Sequence, residues 1–477
     1  MSTIPSEPLV EELLPAPEAE EVFLRWRRLP HCVFFDSARR DPLLGRYSFV
    51  AADPFEFHTT AADDVECWRK LAERLGAFPG QNMPDLPPFQ GGAAGLWSYD
   101  LARSLERIPK TRYDEFHSPG MAVGMYDVVA AFDHVQNRAW IISHGWPEAV
   151  PSQRLHRAYE RLKFFYRLTQ EDSPHEIRDT AHSHLIATPS IPASDLAPQF
   201  SVPGPNGLTS NFSRDDYLQA IERAIEYIRA GDIFQVNLAQ RLLFPAREDS
   251  VELYRRLRRR NPATFAGYFD LGPFQLASAS PERFLQIRNG DVETRPIKGT
   301  RRRTARPEAD LFAGDDLRAS EKDRAENVMI VDLLRNDLSR VCRPESVRVT
   351  QLCQLELYEY VQHLVSAVRG RLRAGMGPLD VLRAAFPGGS ITGAPKVRAM
   401  KIIAELEPTA RGPYCGALGY VGFDGNCDTS ILIRTITAGG GWWQFPVGGG
   451  IVAQSDPARE YEETWHKAEG LIRALVE

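Results

Sequence analysis

A carboxyl and an amine, Glu282 and Lys298, stand sixteen positions apart in this chain, and the residues between them bring the two together. An acid that can protonate a leaving group, beside an amine that can attack carbon, suits a substitution reaction with a covalent step. Residues 284–288 and 291–295 read as strands joined by Asn289-Gly290, a dipeptide that fits a two-residue hairpin turn because both positions take positive φ. Pairing Arg288 with Asp291 and extending the register sets Glu282 opposite Ile297, one residue from Lys298. Pro281 and Pro296 cannot donate ladder hydrogen bonds, so regular pairing should stop there and leave both side chains at the hairpin's open end.

Two other segments carry carboxylates at helical spacing. Residues 320–336 predict a helix with Asp323 and Glu326 on one face, continued by Ile330 and Leu333 as buried positions. After Ser455-Asp456-Pro457, which supplies a cap and a first-turn proline, Glu460, Glu463 and Lys467 share a stripe with Leu471 and Ala474. Acids on inward faces need a cation, and two such helices have the composition of a hard divalent ion site, most simply Mg²⁺. Ion pairs along a solvated face, Glu463 with Lys467 for one, are the alternative. Val447-Gly448-Gly449-Gly450-Ile451 reads as a loop whose N–H groups can point at an anion, or as a plain turn. The segment from Phe386 to Lys396 combines a flexible backbone with hydroxyls and a cation. Arg434, inside the apolar run 431–436, reads as an arginine in a buried strand, which requires either an anionic ligand or a structural acid.

These groups have to be positioned by a chain of 477 residues with 43% hydrophobic and 25% charged content, enough for a substantial core. A net charge of −6 disfavours nucleic acid and anionic membranes as partners. Six cysteines without CxxC spacing read as reduced core thiols, and with no signal-like start or apolar run of membrane length the expected location is the cytoplasm. Residues 1–22 are an acidic, Pro-rich extension, 23–170 a β-rich region closed by a helix over 153–166, and 171–210 a linker or surface excursion. Residues 211–477 then form the catalytic region, opening on a helix capped by Ser213 and stopped at Gly231. Strands and helices alternate irregularly, which predicts an α+β class.

Several segments together resemble the chorismate-utilising enzymes, the family that includes anthranilate, isochorismate, salicylate and aminodeoxychorismate synthases. The carriers are Gly231-Asp232-Ile233-Phe234-Gln235-Val236-Asn237-Leu238, Ser280-Pro281-Glu282-Arg283-Phe284, residues 325–337, residues 386–396, and the glycine segment with its following helix. The resemblance implies a large, mainly antiparallel β-sheet sandwich flanked by helices. It implies that Glu326 and Glu463 bind Mg²⁺ with Asp323 and Glu460 close by, and that Glu282 protonates the departing C4 hydroxyl of chorismate. His363, Gln235, Thr392, Lys396, Tyr414, Arg434, Lys467, Gly448, Gly449 and Gly450 would line the pocket.

Two positions choose a branch. Isochorismate and salicylate synthases carry a water-activating lysine where this chain has Gln235, which is no base at neutral pH, so water addition is disfavoured. Anthranilate synthases have Ala in Pro-Ile-Ala-Gly-Thr where this chain has Lys298, the variant typical of the branch that makes 4-amino-4-deoxychorismate. None of the cysteines lies in a Gly-x-Cys-x-Gly elbow, so ammonia is expected from a separate glutamine amidotransferase subunit, and a fused lyase is not expected. Some family members bind tryptophan near Leu-Leu-Glu-Ser. Phe34-Phe35-Asp36-Ser37 and the stretch from Gly45 to Phe49 stand in that place, making Asp36, Ser37, Arg46, Tyr47 and Ser48 a candidate tryptophan site. The rival within the family is an anthranilate synthase component I; from another class, the arginines of 254–260 and 301–303 suggest RNA binding.

Overall fold

The computed structural model describes residues 7–170, 190–303, 307–357 and 361–476. Two antiparallel sheets face each other, of thirteen and ten strands among the described residues, with helices on their outer sides. In the larger sheet the strands Leu9–Glu12, Arg138–Ser143, Val128–Asp133, Tyr47–Ala51 and Val33–Asp36 continue directly into Phe265–Asp270, Phe274–Ser280, Thr435–Gly439, Trp442–Ile451 and Gln235–Pro245. The smaller sheet likewise joins Ala417–Gly422 to Gly92–Trp97. Divisions of the chain drawn from composition are therefore not divisions of the sheets, and even Leu9–Glu12 pairs with residues 140–143. Residues 171–189 of the expected linker lie outside the described residues.

A core of Val33, Phe49, Phe89, Tyr126, Trp140, Phe269 and Leu418 fills the space between the sheets, and all of these are buried. Burying side chains of this size supplies the main force holding the layers together. The hairpin follows its expected register, Arg288 opposite Asp291 and Ile287 opposite Val292, with Asn289 at φ 49° and Gly290 at φ 81°. Pairing stops at the two prolines: the strands run Arg283–Arg288 and Asp291–Thr294, and the chain resumes as Ile297–Arg302.

The helices start where cap chemistry places them. Ser213 accepts from Asp216 N–H at 3.1 Å before the helix Arg214–Arg229, and Gly231 follows its end at φ 83°. Ser320 accepts from Asp323 N–H at 3.2 Å before Glu321–Ser339, and Asp456 accepts from Arg459 N–H at 3.0 Å before Pro457–Leu475. Ile330, Leu471 and Ala474 are fully buried; Leu333 is only half-buried, packed against Gly389. Five cysteines are buried and Cys353 is half-buried, all as free thiols. No helix among the described residues is long and apolar enough to cross a membrane.

Candidate active site

Two chain crossings between the sheets build the site. Ser280-Pro281-Glu282 leads from the larger sheet to the smaller, and Leu432-Ile433-Arg434 leads back. They are tied side by side: Ile431 N–H donates to the Glu282 carbonyl at 3.1 Å, Ala279 N–H to the Arg434 carbonyl at 3.0 Å, and the Ser280 hydroxyl to the Ile431 carbonyl at 2.6 Å. Arg434 is thus not the mid-strand residue that its apolar run predicted. It sits at the crossing with φ 52°, half-buried, and its guanidinium donates to the Lys467 carbonyl at 2.7 Å. Burial pushes its pKa down, while Tyr414 and Glu463 oppose that shift.

Glu282 and Lys298 meet at Ser390. The Lys298 ammonium donates to the Ser390 carbonyl at 3.0 Å, and the Ser390 hydroxyl donates to Glu282 Oε1 at 2.7 Å. The Glu282 carboxyl also accepts from Ile297 N–H, the neighbour that the hairpin register assigned to it. Burial raises its pKa to about 7, against the opposing pull of the Ser390 hydrogen bond, the Lys298 charge and the Ile297 N–H. A carboxylic acid poised near neutrality can hold a proton and release it. Arg295, next to the hairpin's end, turns away onto Gln351 and Glu356.

A second cluster forms around Gly449 and Gly450. These glycines lie inside the strand Trp442–Ile451, paired with Leu238 and Asn237, so the expected loop is a strand. The neighbouring strand Thr435–Gly439 reaches only Gln444, leaving the far edge open at the glycines. A Cβ at Gly449 would stand 3.6 Å from both Glu460 Oε2 and Glu463 Oε1 and 3.4 Å from Lys467 Nζ; one at Gly450 would stand 3.6 Å from Glu326 Oε2. The absence of side chains on this stretch opens a space that acids from two helices share. Gln235 is fully buried there, so close to Gly450 that a Cβ would collide with its amide, and neither end of that amide has a hydrogen-bond partner. Such a group ordinarily costs about 1–3 kcal/mol and is kept where a ligand completes it.

Glu460 accepts from the Ser455 hydroxyl at 2.6 Å; Lys467 pairs with Glu463 at 2.7 Å and donates to the Gly448 carbonyl at 2.8 Å. Among the described residues no three acids, histidines or cysteines form a closed cation site. The donor set is nonetheless carboxylate oxygen arranged around an open space, which fits a hard cation that keeps waters and a place for a substrate oxygen. Asp323 packs against Gly299, next to Lys298. His363 is buried, and burial, with help from Arg39 and Arg434, lowers its pKa to about 4. It is a neutral imidazole at physiological pH. Tyr414 is buried, its ring 5.7 Å from the Arg411 guanidinium.

Other nominated residues have different company. Lys396 is half-buried and donates to Asp337 at 2.7 Å and the Ala385 carbonyl at 2.8 Å, and the Thr392 hydroxyl closes its own turn on the Gly388 carbonyl at 2.9 Å. Asp36, Ser37, Arg46 and Tyr47 line a separate cavity of about 100 Å³ between the sheets, while Ser48 bonds Ser37 N–H and His134. The arginines proposed for RNA are largely used internally: Arg255, Arg256 and Arg258 pair with Glu20, Glu252, Glu248 and Asp36. The side chains of Arg301 and Arg302 lie outside the described residues. Sequence reasoning had not singled out Ser390, Asn237 or Arg411. The signal for Ser390 was its place in Gly388-Gly389-Ser390, where glycines let a hydroxyl and its backbone approach other elements closely.

The sequence profile of the chorismate binding enzymes matches residues 31–473. The chain belongs to this family. Among its relatives, anthranilate synthase component 1 of Thermus thermophilus is 42% identical over 85% of this chain and 82% of its own length. Aminodeoxychorismate synthase component 1 of Klebsiella aerogenes is also 42% identical, over 87% and 84%. The crystal structure of anthranilate synthase component I from Streptococcus pneumoniae superposes with a TM-score of 0.73 at 30% identity, covering 90% of this chain and 92% of that one. The fold, a mixed architecture of antiparallel sheets and helices, is that of the chorismate-utilising enzymes, and the chain is a chorismate-utilising enzyme. Relatives with two different products are equally similar, so overall identity does not decide between them.

Proposed function

We propose that this chorismate-utilising enzyme is an aminodeoxychorismate synthase component I, which replaces the C4 hydroxyl of chorismate with an amino group from ammonia. The single observation that carries this reading is the amine of Lys298 held one serine away from a buried acid, Glu282, at the crossing between the sheets. An anthranilate synthase needs no amine at that place, whereas C4 amination with retention of position is served by one.

The chemistry balances in two substitutions. Once its ammonium has given a proton to solvent, the Lys298 amine attacks C2 of the ring, the double bond shifts, and the C4 hydroxyl leaves as water with the proton that Glu282 supplies. Ammonia then attacks C4, the double bond returns, the C2–N bond breaks to release the lysine as a free amine, and the new C4 ammonium returns a proton to the Glu282 carboxylate. Glu326 and Glu463, with Glu460 and Asp323 beside them, would hold Mg²⁺. When bound, that ion neutralises a substrate carboxylate and favours leaving-group departure. Arg434, Lys467 and the open edge at Gly448 to Gly450 orient the anionic substrate, and Gln235 offers an unpaired amide but no base for water. Ammonia would come from a separate glutamine amidotransferase subunit, placing the reaction ahead of 4-aminobenzoate formation.

Incubation of the purified protein with chorismate, Mg²⁺ and an ammonium salt tests the reading. The expected product is 4-amino-4-deoxychorismate with no release of pyruvate; fluorescent anthranilate plus pyruvate would refute it.

A further inference from the structure

Ser390 uses both of its polar ends on the reacting pair. The residue is 7% exposed; its hydroxyl donates to Glu282 Oε1 at 2.7 Å, and its carbonyl accepts from Lys298 Nζ at 3.0 Å and Asn237 Nδ2 at 3.1 Å. Two donors fill the acceptor capacity of that oxygen. The turn carrying it is fixed from several directions: Asn237 N–H donates to the Thr392 carbonyl at 2.8 Å, and Arg411 Nη1 donates to the Ile391 carbonyl at 3.1 Å. Arg411 is itself buried in a pair with Glu407 at 2.6 Å. Gly388 and Gly389 press against Ile431 and Leu333 too closely for a larger residue to fit without displacement. The turn that carries the serine is therefore tied to Asn237, Arg411 and Lys298 at once.

We infer that Ser390 is the positioning residue of the reaction, a single rigid turn that sets the acid and the amine relative to each other. The inference rests on the proposed roles of Glu282 and Lys298. Donation to Oε1, together with the Ile297 N–H, sets the orientation in which the carboxyl presents its proton to the leaving group. Acceptance of one N–H of Lys298 turns the lone pair of the neutral amine away from the turn. Removing the hydroxyl leaves the carboxyl with the Ile297 N–H alone and leaves the lysine contact in place, because the backbone carbonyl remains. The two halves of the device are thus separable by mutation.

Ser390→Ala should lower kcat by ~10- to 100-fold, with KM for chorismate within about threefold, consistent with the loss of one hydrogen bond to an ionisable group. The limb of the kcat/KM profile that falls as Glu282 loses its proton should move to higher pH by roughly half to one unit, since a donor that favours the carboxylate has gone. Ser390→Cys, nearly isosteric and a poorer donor, should fall between wild type and alanine, and it carries the test if the alanine variant does not fold. An unmoved pH limb, or a loss below twofold, overturns the inference. The limb reports Glu282 whichever amine is formed, so a product assay that yields anthranilate sinks the proposed function without deciding the role of Ser390.

Discussion

Glu282 and Arg283 are adjacent in the chain but serve two differently built regions. Arg283 lines the cavity between the sheets, where every charge has an opposite beside it: Arg283 with Asp428 at 3.0 Å, Arg46 with Asp133 at 2.6 Å, Arg258 with Asp36 at 2.6 Å. Glu282, one residue earlier, meets a serine hydroxyl, a backbone N–H and an ammonium whose own hydrogen bond goes to a carbonyl. Gln235 has no partner, and the Arg434 hydrogen bond goes to a backbone carbonyl. A region whose charges are matched internally has spent its electrostatics on its own geometry. A region whose polar groups are buried and incompletely matched retains electrostatic capacity for a ligand or a transition state.

Lys298→Ala should give the largest effect and separates the two regions most sharply. If the amine forms a bond to the ring, its removal should lower the steady-state rate by on the order of 10³-fold or more, while the fold, read by circular dichroism and thermal melting, stays intact. Mass spectrometry of wild type quenched during turnover should find a chorismate-derived adduct on this lysine and none on the variant. Turnover within tenfold of wild type and no adduct would remove Lys298 from the chemistry.

Glu326→Gln comes next. Replacing one carboxylate of the cluster around Gly449 and Gly450 should weaken Mg²⁺ by ~10- to 100-fold, read as a rise in the Mg²⁺ concentration that gives half-maximal rate, with partial recovery at high Mg²⁺. The same substitution at Glu460, buried and bonded to the Ser455 hydroxyl, should do less if its role is to orient rather than to ligate. An unchanged dependence of rate on Mg²⁺ in Glu326→Gln would remove Glu326 from the proposed ion site.

Much of this arrangement was legible because it is local. The Asn289-Gly290 turn and two prolines determine where Glu282 and Ile297 face each other, and cap residues determine where both acidic helices begin. What could not be read depends on partners distant in sequence. Arg434 looked like a strand residue because its neighbours are apolar, yet those neighbours are apolar because they change sheets inside the core. The glycines looked like a loop, but they form a strand kept bare to make room beside two helices. Ser390 bonds residues 108 and 92 positions away, and no periodicity encodes such a contact. Lys396, a cation in a glycine-rich segment, pairs with Asp337, 59 positions away, and no local pattern encodes that partner either.

The smallest expected effect tests the contrast between neighbours without relying on activity. Burial raises Glu282 to about 7 from an ordinary value of 4.5. Between those values the unfolded chain releases this proton while the folded chain keeps it, so stability falls as pH rises through that window and levels off above it, by up to ~3 kcal/mol. Glu282→Gln removes the penalty and should melt higher than wild type at pH 8 but nearly with it at pH 4.5. Arg283→Ala leaves Asp428 without the guanidinium that now pairs with it, and should lose about 2 kcal/mol at both pH values. If Glu282→Gln shows no gain at pH 8, its carboxyl is better solvated than its burial implies, and the division between a matched and an unmatched region fails at the residue on which it depends.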